Sequence, residues 1–204
     1  MVGDPELIAQ YAQMHARRVY GATSVKNLRF LRPEIKLRRP RSILDYGCGQ
    51  SRLLDELDLG YPVELYRYDP AIPDYAAKPE ATVDLLLNID VLEHIEESDL
   101  DTVLAEMRAA CRDAIIIVDT KPASAVLPDG RNAHVTLRPH DWWRDRLSAV
   151  FGPLYPMQTV RRSRAGFKTW RRAPAETLRY HAMRTAEDAA HYAKRLIRMR
   201  RGGT

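Results

Sequence analysis

At 204 residues, 45% hydrophobic and 29% charged, the chain suits one folded domain with a sizeable core. No apolar run approaches the ~20 residues of a membrane span. Met1 to Gln13 carries acidic residues and no apolar signal core, so no secretory signal is visible and a cytoplasmic setting is expected. The net charge of +5 hides an asymmetry: from Arg161 onward thirteen Lys or Arg face three acids, a local +10, which leaves −5 on the rest. Such an end attracts phosphate-bearing partners or anionic lipid, and a solvated basic helix fits it equally well. Cys48 and Cys111 lack metal spacing, and Cys48 sits inside a glycine turn, where a disulfide is a poor fit.

Asp4-Pro5 opens a helix through Tyr20, with Asp as N-cap and Pro at the first helical position. Gly21 breaks it, and Ser24 starts a short helix through Leu31. Arg38 to Arg41 reads as a basic linker into a strand, Ser42–Tyr46. Gly47-Cys48-Gly49 then makes a tight turn. Leu53, Leu54, Leu57 and Leu59 predict a helix after it, ending at Gly60-Tyr61-Pro62. Glycines let a ligand lie against the backbone, and a helix start there would aim N–H groups at that ligand.

Val63–Tyr68 alternates as a second strand and ends at Asp69-Pro70. Asp69 lies 24 residues past Asp45, and a carboxylate at that strand end can accept from both ribose hydroxyls. Pro70 to Thr82 is too short and too aperiodic for the helix, strand and helix that a full doubly wound sheet needs before the next strand, Val83–Ile89. One strand is therefore expected to be missing or vestigial. Asp99 to Arg112 reads as an amphipathic helix and Ala114–Val118 as a buried strand. A long loop follows, with a Pro128-Asp129-Gly130 turn, then a Trp142-Trp143 helix ending at Gly152-Pro153. Leu154–Arg161 and Gly166–Arg171 predict an antiparallel edge pair. Pro174 opens a helix to about Met199, with Leu178, Ala182, Ala186, Ala189, Ala193, Leu196 and Ile197 as its apolar face.

Three ordered motifs carry a resemblance. Leu44-Asp-Tyr-Gly-Cys-Gly49, Tyr68-Asp69-Pro70 and Asp84-Leu-Leu-Leu-Asn-Ile-Asp-Val-Leu-Glu-His-Ile95 are similar to the motifs of class I S-adenosylmethionine (SAM)-dependent methyltransferases. Met14-His15, Gly21-Ala-Thr-Ser24, Leu127-Pro-Asp-Gly-Arg-Asn-Ala-His134 and Trp142-Trp143 further resemble a bacterial and phage-type group of such proteins. The resemblance implies an α/β, Rossmann-like sheet, mostly parallel with an antiparallel edge strand, in one domain. Residues 1–40 and 174–204 would be helical additions around a 41–173 core. It also implies SAM as cofactor, with Asp45, Gly47, Cys48 and Gly49 near its methionine part, Asp69 and Pro70 near its ribose, and Asn88, Ile89, Asp90 and Val91 on the adenine side. Gln50-Ser51 stands where many members carry a third glycine or Lys-Gly. The third-strand acid that meets adenine has no clear counterpart, and Asp74 or a backbone group would substitute.

A hydroxyl acceptor benefits from a positioned base. His94, Asp119 and His134 lie where strands end and loops begin, and they are the catalytic candidates. Arg131, Asn132, His140 and Trp143 are the substrate-binding candidates, beside plain roles in helix capping, core packing or solvent exposure. No metal cluster is expected, since His134 and His140 stand six residues apart in a loop. The acceptor expected is a small molecule or glycan, at oxygen rather than nitrogen. An alternative is nucleic acid, bound by the bases of Arg161–Arg172 interleaved with Phe167 and Trp170. A second alternative is a SAM-binding partner protein without catalysis. The basic face at Lys194, Arg195, Arg198 and Arg201 suits an anionic membrane surface, but docking of this helix on the body is the stronger expectation. The sequence leaves the oligomeric state open.

Overall fold

The computed structural model describes residues 3–21 and 23–201, and at positions 194, 195, 198, 200 and 201 it describes the backbone only. The basic face at Lys194, Arg195, Arg198 and Arg201, noted as suited to an anionic membrane surface, therefore lies outside the described side chains.

Six strands form one sheet: β1 Ser42–Tyr46, β2 Glu64–Tyr68, β3 Val83–Ile89, β4 Cys111–Asp119, β5 Tyr155–Pro156 and β6 Arg164–Lys168. Their spatial order is β2-β1-β3-β4-β6-β5, with the first four parallel and β6 antiparallel to both its neighbours. No strand stands outside β2 among the described residues. The short Pro70–Thr82 segment holds only a three-residue 3₁₀ turn, Pro73–Tyr75. β4 starts three residues earlier than expected, and Cys111 belongs to it rather than to the preceding helix.

Alternation along the strands divides the core into two layers. Leu44, Leu86, Ile116 and Val118 face helices α3 (Leu100–Ala110) and α4 (His140–Phe151). Ile43, Leu85, Leu87, Ile115 and Ile117 face α2 (Leu28–Arg38), which carries Leu28, Phe30, Leu31 and Ile35. α2 extends seven residues beyond the expected end at Leu31, with Pro33 in its second turn, so Arg38 is helical and Arg39 closes the helix at φ +52°. Helix α1, Pro5–Arg17, begins as expected: the Asp4 side chain accepts from Glu6 N at 2.9 Å.

Two expectations fail. After the glycine turn there is no helix. Leu53, Leu54, Leu57 and Leu59 are all buried against α2, but in a sequence of turns. The backbone makes one α-type bond, Glu56 N to Arg52 O, and the Glu56 carbonyl is taken at 2.5 Å by the Arg32 guanidinium reaching over from α2. Leucine spacing had recorded burial, each side chain stabilising by about 1.5–3 kcal/mol, rather than helical backbone.

The last helix, α5 Pro174–Arg201, exists as expected but presents the opposite face. Leu178, Leu196 and Ile197 are 76, 61 and 52% exposed, and the alanines between them are exposed as well. α5 instead docks on α2 through charge and aromatic contact. Glu187 pairs with Arg32 at 2.9 Å, Asp188 with Arg29 at 3.4 Å, and the Arg184 guanidinium lies 4.2 Å from the Phe30 ring centroid. Among the described residues no helix is long and apolar enough to cross a membrane.

Candidate active site

The carboxyl ends of β1, β2, β3 and β4 bring Asp45, Asp69, Asp90 and Asp119 to one edge of the sheet, where open α/β sheets bind ligands. A cavity of about 680 Å³ opens there. Its floor is the glycine turn, and its cover is α1 with the segment after it: Leu7, Tyr11, Met14, His15 and Tyr20 all line it.

The turn is built by backbone geometry. Gly47 (φ +76°) and Gly49 (φ +52°) adopt conformations that side chains rarely take. A Cβ on Gly47 would also lie 2.5 Å from Val91 Cγ1, so this glycine serves packing against Val91. Gly47 N and Cys48 N both donate to Tyr68 O, at 2.8 and 3.1 Å. Asp69 anchors the turn: its Oδ2 accepts from Gly49 N at 2.8 Å and its Oδ1 from Ala71 N at 2.9 Å. Each oxygen keeps one lone pair for a ligand. Gln50 and Ser51, the two departures from the usual motif, stitch the cover to the floor. Gln50 Oε1 accepts from Tyr20 N at 3.2 Å, Gln50 Nε2 donates to His15 O at 3.3 Å, and Ser51 Oγ shares a hydrogen bond with Ser24 Oγ.

Asp45 is 3% exposed, and among the described residues no donor reaches its carboxylate. Burial pushes its pKa up to about 7, Arg67 offsetting part of that and Asp69 adding to it. The Cys48 thiol is likewise raised by burial, which makes it an inert wall group.

At the far end of the cavity Arg164 is 7% exposed and ties β6 to two strand ends. Its Nη2 lies 2.6 Å from Asp90 Oδ2 and its Nε 3.5 Å from Asp119 Oδ2. Asp90 has φ +58°, a conformation Asp tolerates better than most residues. Thr23 Oγ1 donates to it at 3.2 Å. Burial raises Asp90 to about 6 despite Arg164. Glu93 is fully buried: Oε1 accepts from Asp119 N at 2.9 Å, Oε2 has no hydrogen-bond partner, and burial with the nearby Asp90 charge holds its carboxyl well above the usual range.

His94 and His134 meet edge to face, ring centroids 4.8 Å apart. His94 Nδ1 donates to Ala133 O at 2.8 Å and His134 Nδ1 to Lys121 O. Carbonyl oxygens only accept, so both rings carry their proton on Nδ1 and a lone pair on Nε2. Burial, with His134 adding to it, lowers the His94 pKa to about 4; burial also lowers that of His134.

Of the site residues proposed from the sequence, Asp45, Gly47, Cys48, Gly49, Asp69, Pro70, Ile89, Asp90, Val91, His94, Asp119 and His134 line this cavity. Five of the site residues it proposed lie elsewhere. Asn88 is fully buried and donates to Tyr46 O at 3.0 Å, bracing β3 against β1. Arg131 is exposed and paired with Glu96 and Asp129. Asn132 holds the loop, accepting from Ala123 N and His134 N and donating to Ala123 O. His140 is exposed on the first turn of α4, and Trp143 is core with zero exposure. Asp74 is exposed and does not line the cavity. Tyr11, Thr23 and Arg164 were missed. Arg164 had been counted in the basic segment, three of whose six bases, Arg164, Lys168 and Arg172, turn inward while Arg161, Arg162 and Arg171 stay exposed. Lys168, 2% exposed, pairs with Glu34 at 2.5 Å, Arg172 stacks 3.8 Å from the Tyr180 ring centroid, and Phe167 and Trp170 are 8% exposed. The aromatic faces that would stack nucleic-acid bases are therefore buried.

A parallel sheet of this order, with a glycine turn after its first strand and acids on each following strand end, is a Rossmann-like cofactor fold of class I type. The sequence matches the family model described as a methyltransferase domain over residues 14–186, most of the chain, and the protein belongs to that family. Solved structures of low identity share the fold. A DhpI–SAH complex superposes with TM-score 0.58 at 17% identity, covering 82% of this chain and 98% of that one. The plantazolicin methyltransferase BamL, with a triazolic desmethylPZN analog and SAH, gives 0.57 at 12%, covering 93 and 85%. Magnesium protoporphyrin IX methyltransferase (ChlM) from Synechocystis PCC 6803, with SAH, gives 0.55 at 13%, covering 80 and 95%. A search of curated protein sequences returns no match.

Proposed function

We propose that this methyltransferase binds SAM across the glycine turn and moves its methyl group to a small-molecule or glycan-type acceptor, at oxygen. The observation that carries the reading is one continuous covered cavity, running from Gly47, Gly49 and Asp69 to His94, Asp119 and His134. Its volume falls in the range of small-ligand sites. When bound, SAM supplies the electrophilic methyl on a sulfonium, and the protein supplies alignment.

The residues present fit that cofactor. The Asp45 carboxylate, which no described donor reaches, suits an α-ammonium group. The free lone pairs of Asp69 suit ribose hydroxyls, and Pro70, Ala71, Ile89 and Val91 offer an apolar wall to a base. At the other end, neutral imidazoles with free Nε2 atoms and the Asp119 carboxylate are the groups able to hold or take a hydroxyl proton. Enclosure by α1 favours a compact acceptor over a polymer. Among the similar structures, the BamL complex holds a triazolic desmethylPZN analog with SAH, and a DhpI complex holds HEP with SAM.

The test has two parts. SAM and SAH should each raise the melting temperature of the full chain, and Asp69→Asn should weaken that effect at least tenfold in ligand concentration. Radiolabelled methyl transfer should then appear with hydroxylated small molecules or glycans. No stabilisation by either ligand overturns the cofactor assignment; transfer to nucleic acid alone overturns the acceptor class.

A further inference from the structure

The far end of the cavity holds more than a proton acceptor needs. Glu93, His94 and His134 each offer one ligand atom, and the three atoms lie within 4.8 Å of one another. They come from the 3₁₀ turn after β3 (Leu92–His94) and from the loop that returns beneath α1. We propose that Glu93, His94 and His134 form a binding site for one divalent first-row metal ion, such as Mn²⁺, Co²⁺ or Zn²⁺, open on the cavity side to an oxygen-donor ligand. This deepens the reading of the cavity as a methyl-transfer site and rests on it for the acceptor, though not for the ion.

Three independent observations point there. First, the imidazoles are already set as ligands. Each Nδ1–H is fixed by a backbone carbonyl, Ala133 O for His94 and Lys121 O for His134, and this is the outer support that metal-binding histidines use to aim Nε2. Tyr11 reinforces it, its hydroxyl donating to Ala133 O at 2.7 Å. Second, Glu93 Oε2 is an unpartnered oxygen on a side chain with zero exposure. A buried carboxylate oxygen without a donor costs about 1–3 kcal/mol or more, and a cation satisfies it. Third, acidic groups outnumber bases there. Asp90 and Asp119 share one buried guanidinium, that of Arg164, Glu93 Oε1 accepts from Asp119 N, and Arg161 stands at the rim. An ion of +2 suits such a cluster.

The donor set selects the ion class. Two imidazoles and one carboxylate with remaining positions open suit first-row transition ions and zinc; magnesium, which prefers an all-oxygen octahedron, fits poorly. Ligand bonds of about 2.1 Å keep neighbouring donors about 3–4 Å apart, so the set must contract by about 1–2 Å at its widest pair. The loop carrying His134 can give that movement. The ion's open positions would face the acceptor end of the cavity, which points to an acceptor bearing a hydroxyl or a hydroxyl–carboxylate pair.

The test titrates the chelator-treated full chain with Mn²⁺, Co²⁺, Zn²⁺ or Mg²⁺ alone, by calorimetry and by the visible absorption of Co²⁺. One transition ion per chain is expected, bound more than tenfold tighter than Mg²⁺. His134→Gln, at a partly exposed position, and His94→Gln should each weaken binding more than tenfold. SAH stabilisation measured on the same samples reports folding and the cofactor end separately. No stoichiometric uptake by the wild type overturns the proposal. So does uptake unchanged in both variants, which would locate the ion at exposed histidines such as His181 and His191. If SAH also fails to stabilise the wild type, the reading of the cavity itself is wrong.

Discussion

Asp45 is a buried acid whose cost can be measured directly. Its carboxyl sits at the end of β1, 3% exposed, and ionises near 7 instead of near 3.8. Burial is the first cause, opposed by Arg67 and reinforced by Asp69. A carboxyl raised in the folded state keeps its proton there while the unfolded chain gives it up. Stability therefore falls as pH rises from about 4 to about 7 and stays low above that. The gap corresponds to about 4 kcal/mol at most, from 1.36 kcal/mol per pH unit. Asp45→Asn keeps the shape and removes the charge. Without ligand, the variant should match the wild type near pH 4 and gain stability progressively to pH 8, by up to about 4 kcal/mol. The tryptophans report unfolding in urea, and each kcal/mol also moves the melting temperature by about 2–4 °C in a chain of this size. The same substitution should weaken SAM at pH 8, because the α-ammonium loses its counter-charge. An Asn variant no more stable than the wild type at pH 8, or more stable by the same amount at every pH, would refute the reasoning.

Gly47→Ala combines a left-handed backbone with a Cβ 2.5–2.6 Å from both Val91 methyls, and should destabilise by about 2–5 kcal/mol. Adding Val91→Ala should recover only the packing share, read by urea midpoints. Lys168→Met leaves Glu34 buried with only the longer Arg172 contact at 3.4 Å, and should cost about 3–5 kcal/mol. Lys168→Met with Glu34→Leu should restore most of it; equal losses in the single and double variants would show that the pair is not the source. Neutralising the exposed Arg161, Arg162 and Arg171 should leave nucleic-acid binding weak and nearly unchanged. A steep salt slope lost in that variant would reinstate the basic segment as a phosphate-binding surface.

The cofactor end of the cavity was legible because its residues are adjacent in sequence or fixed by strand ends. Asp45, Gly47, Gly49 and Asp69 follow from where apolar runs stop, and Asp90 from the resemblance carried by the motif around it. The missing strand was legible for a negative reason: too few residues separate Asp69 from Val83. The acceptor end was harder, because it is assembled from distant segments. Tyr11, Thr23 and Arg164 reach it from α1, from the turn before α2 and from β6, and no local pattern links them. The side of α5 that packs could not be read from apolar spacing either. Arg29 and Arg32 select Asp188 and Glu187, and that ionic choice turns the alanine and leucine stripe outward. Similarly, the interleaved bases and aromatics of Arg161–Arg172 looked like a nucleic-acid surface until Glu34, buried on α2, accounted for Lys168 and Arg172.

Loss of the outer strand makes β2 the margin of the sheet, with one row of backbone N–H and C=O groups unpaired by any described strand. Such a margin invites a second chain to add itself. Here it is five residues long, follows Pro62, and carries Glu64 and Arg67. Arg67 is held at 2.6 Å by Asp55, and Tyr66 donates to Glu64 at 2.9 Å. Shortness, a proline and fixed charges are what keep an open margin from polymerising. Glu64 and Arg67 thus guard the margin of the sheet, Arg67 from beside Asp45 as its register partner on β1, and replacing both with valine should raise aggregation on standing, read by light scattering.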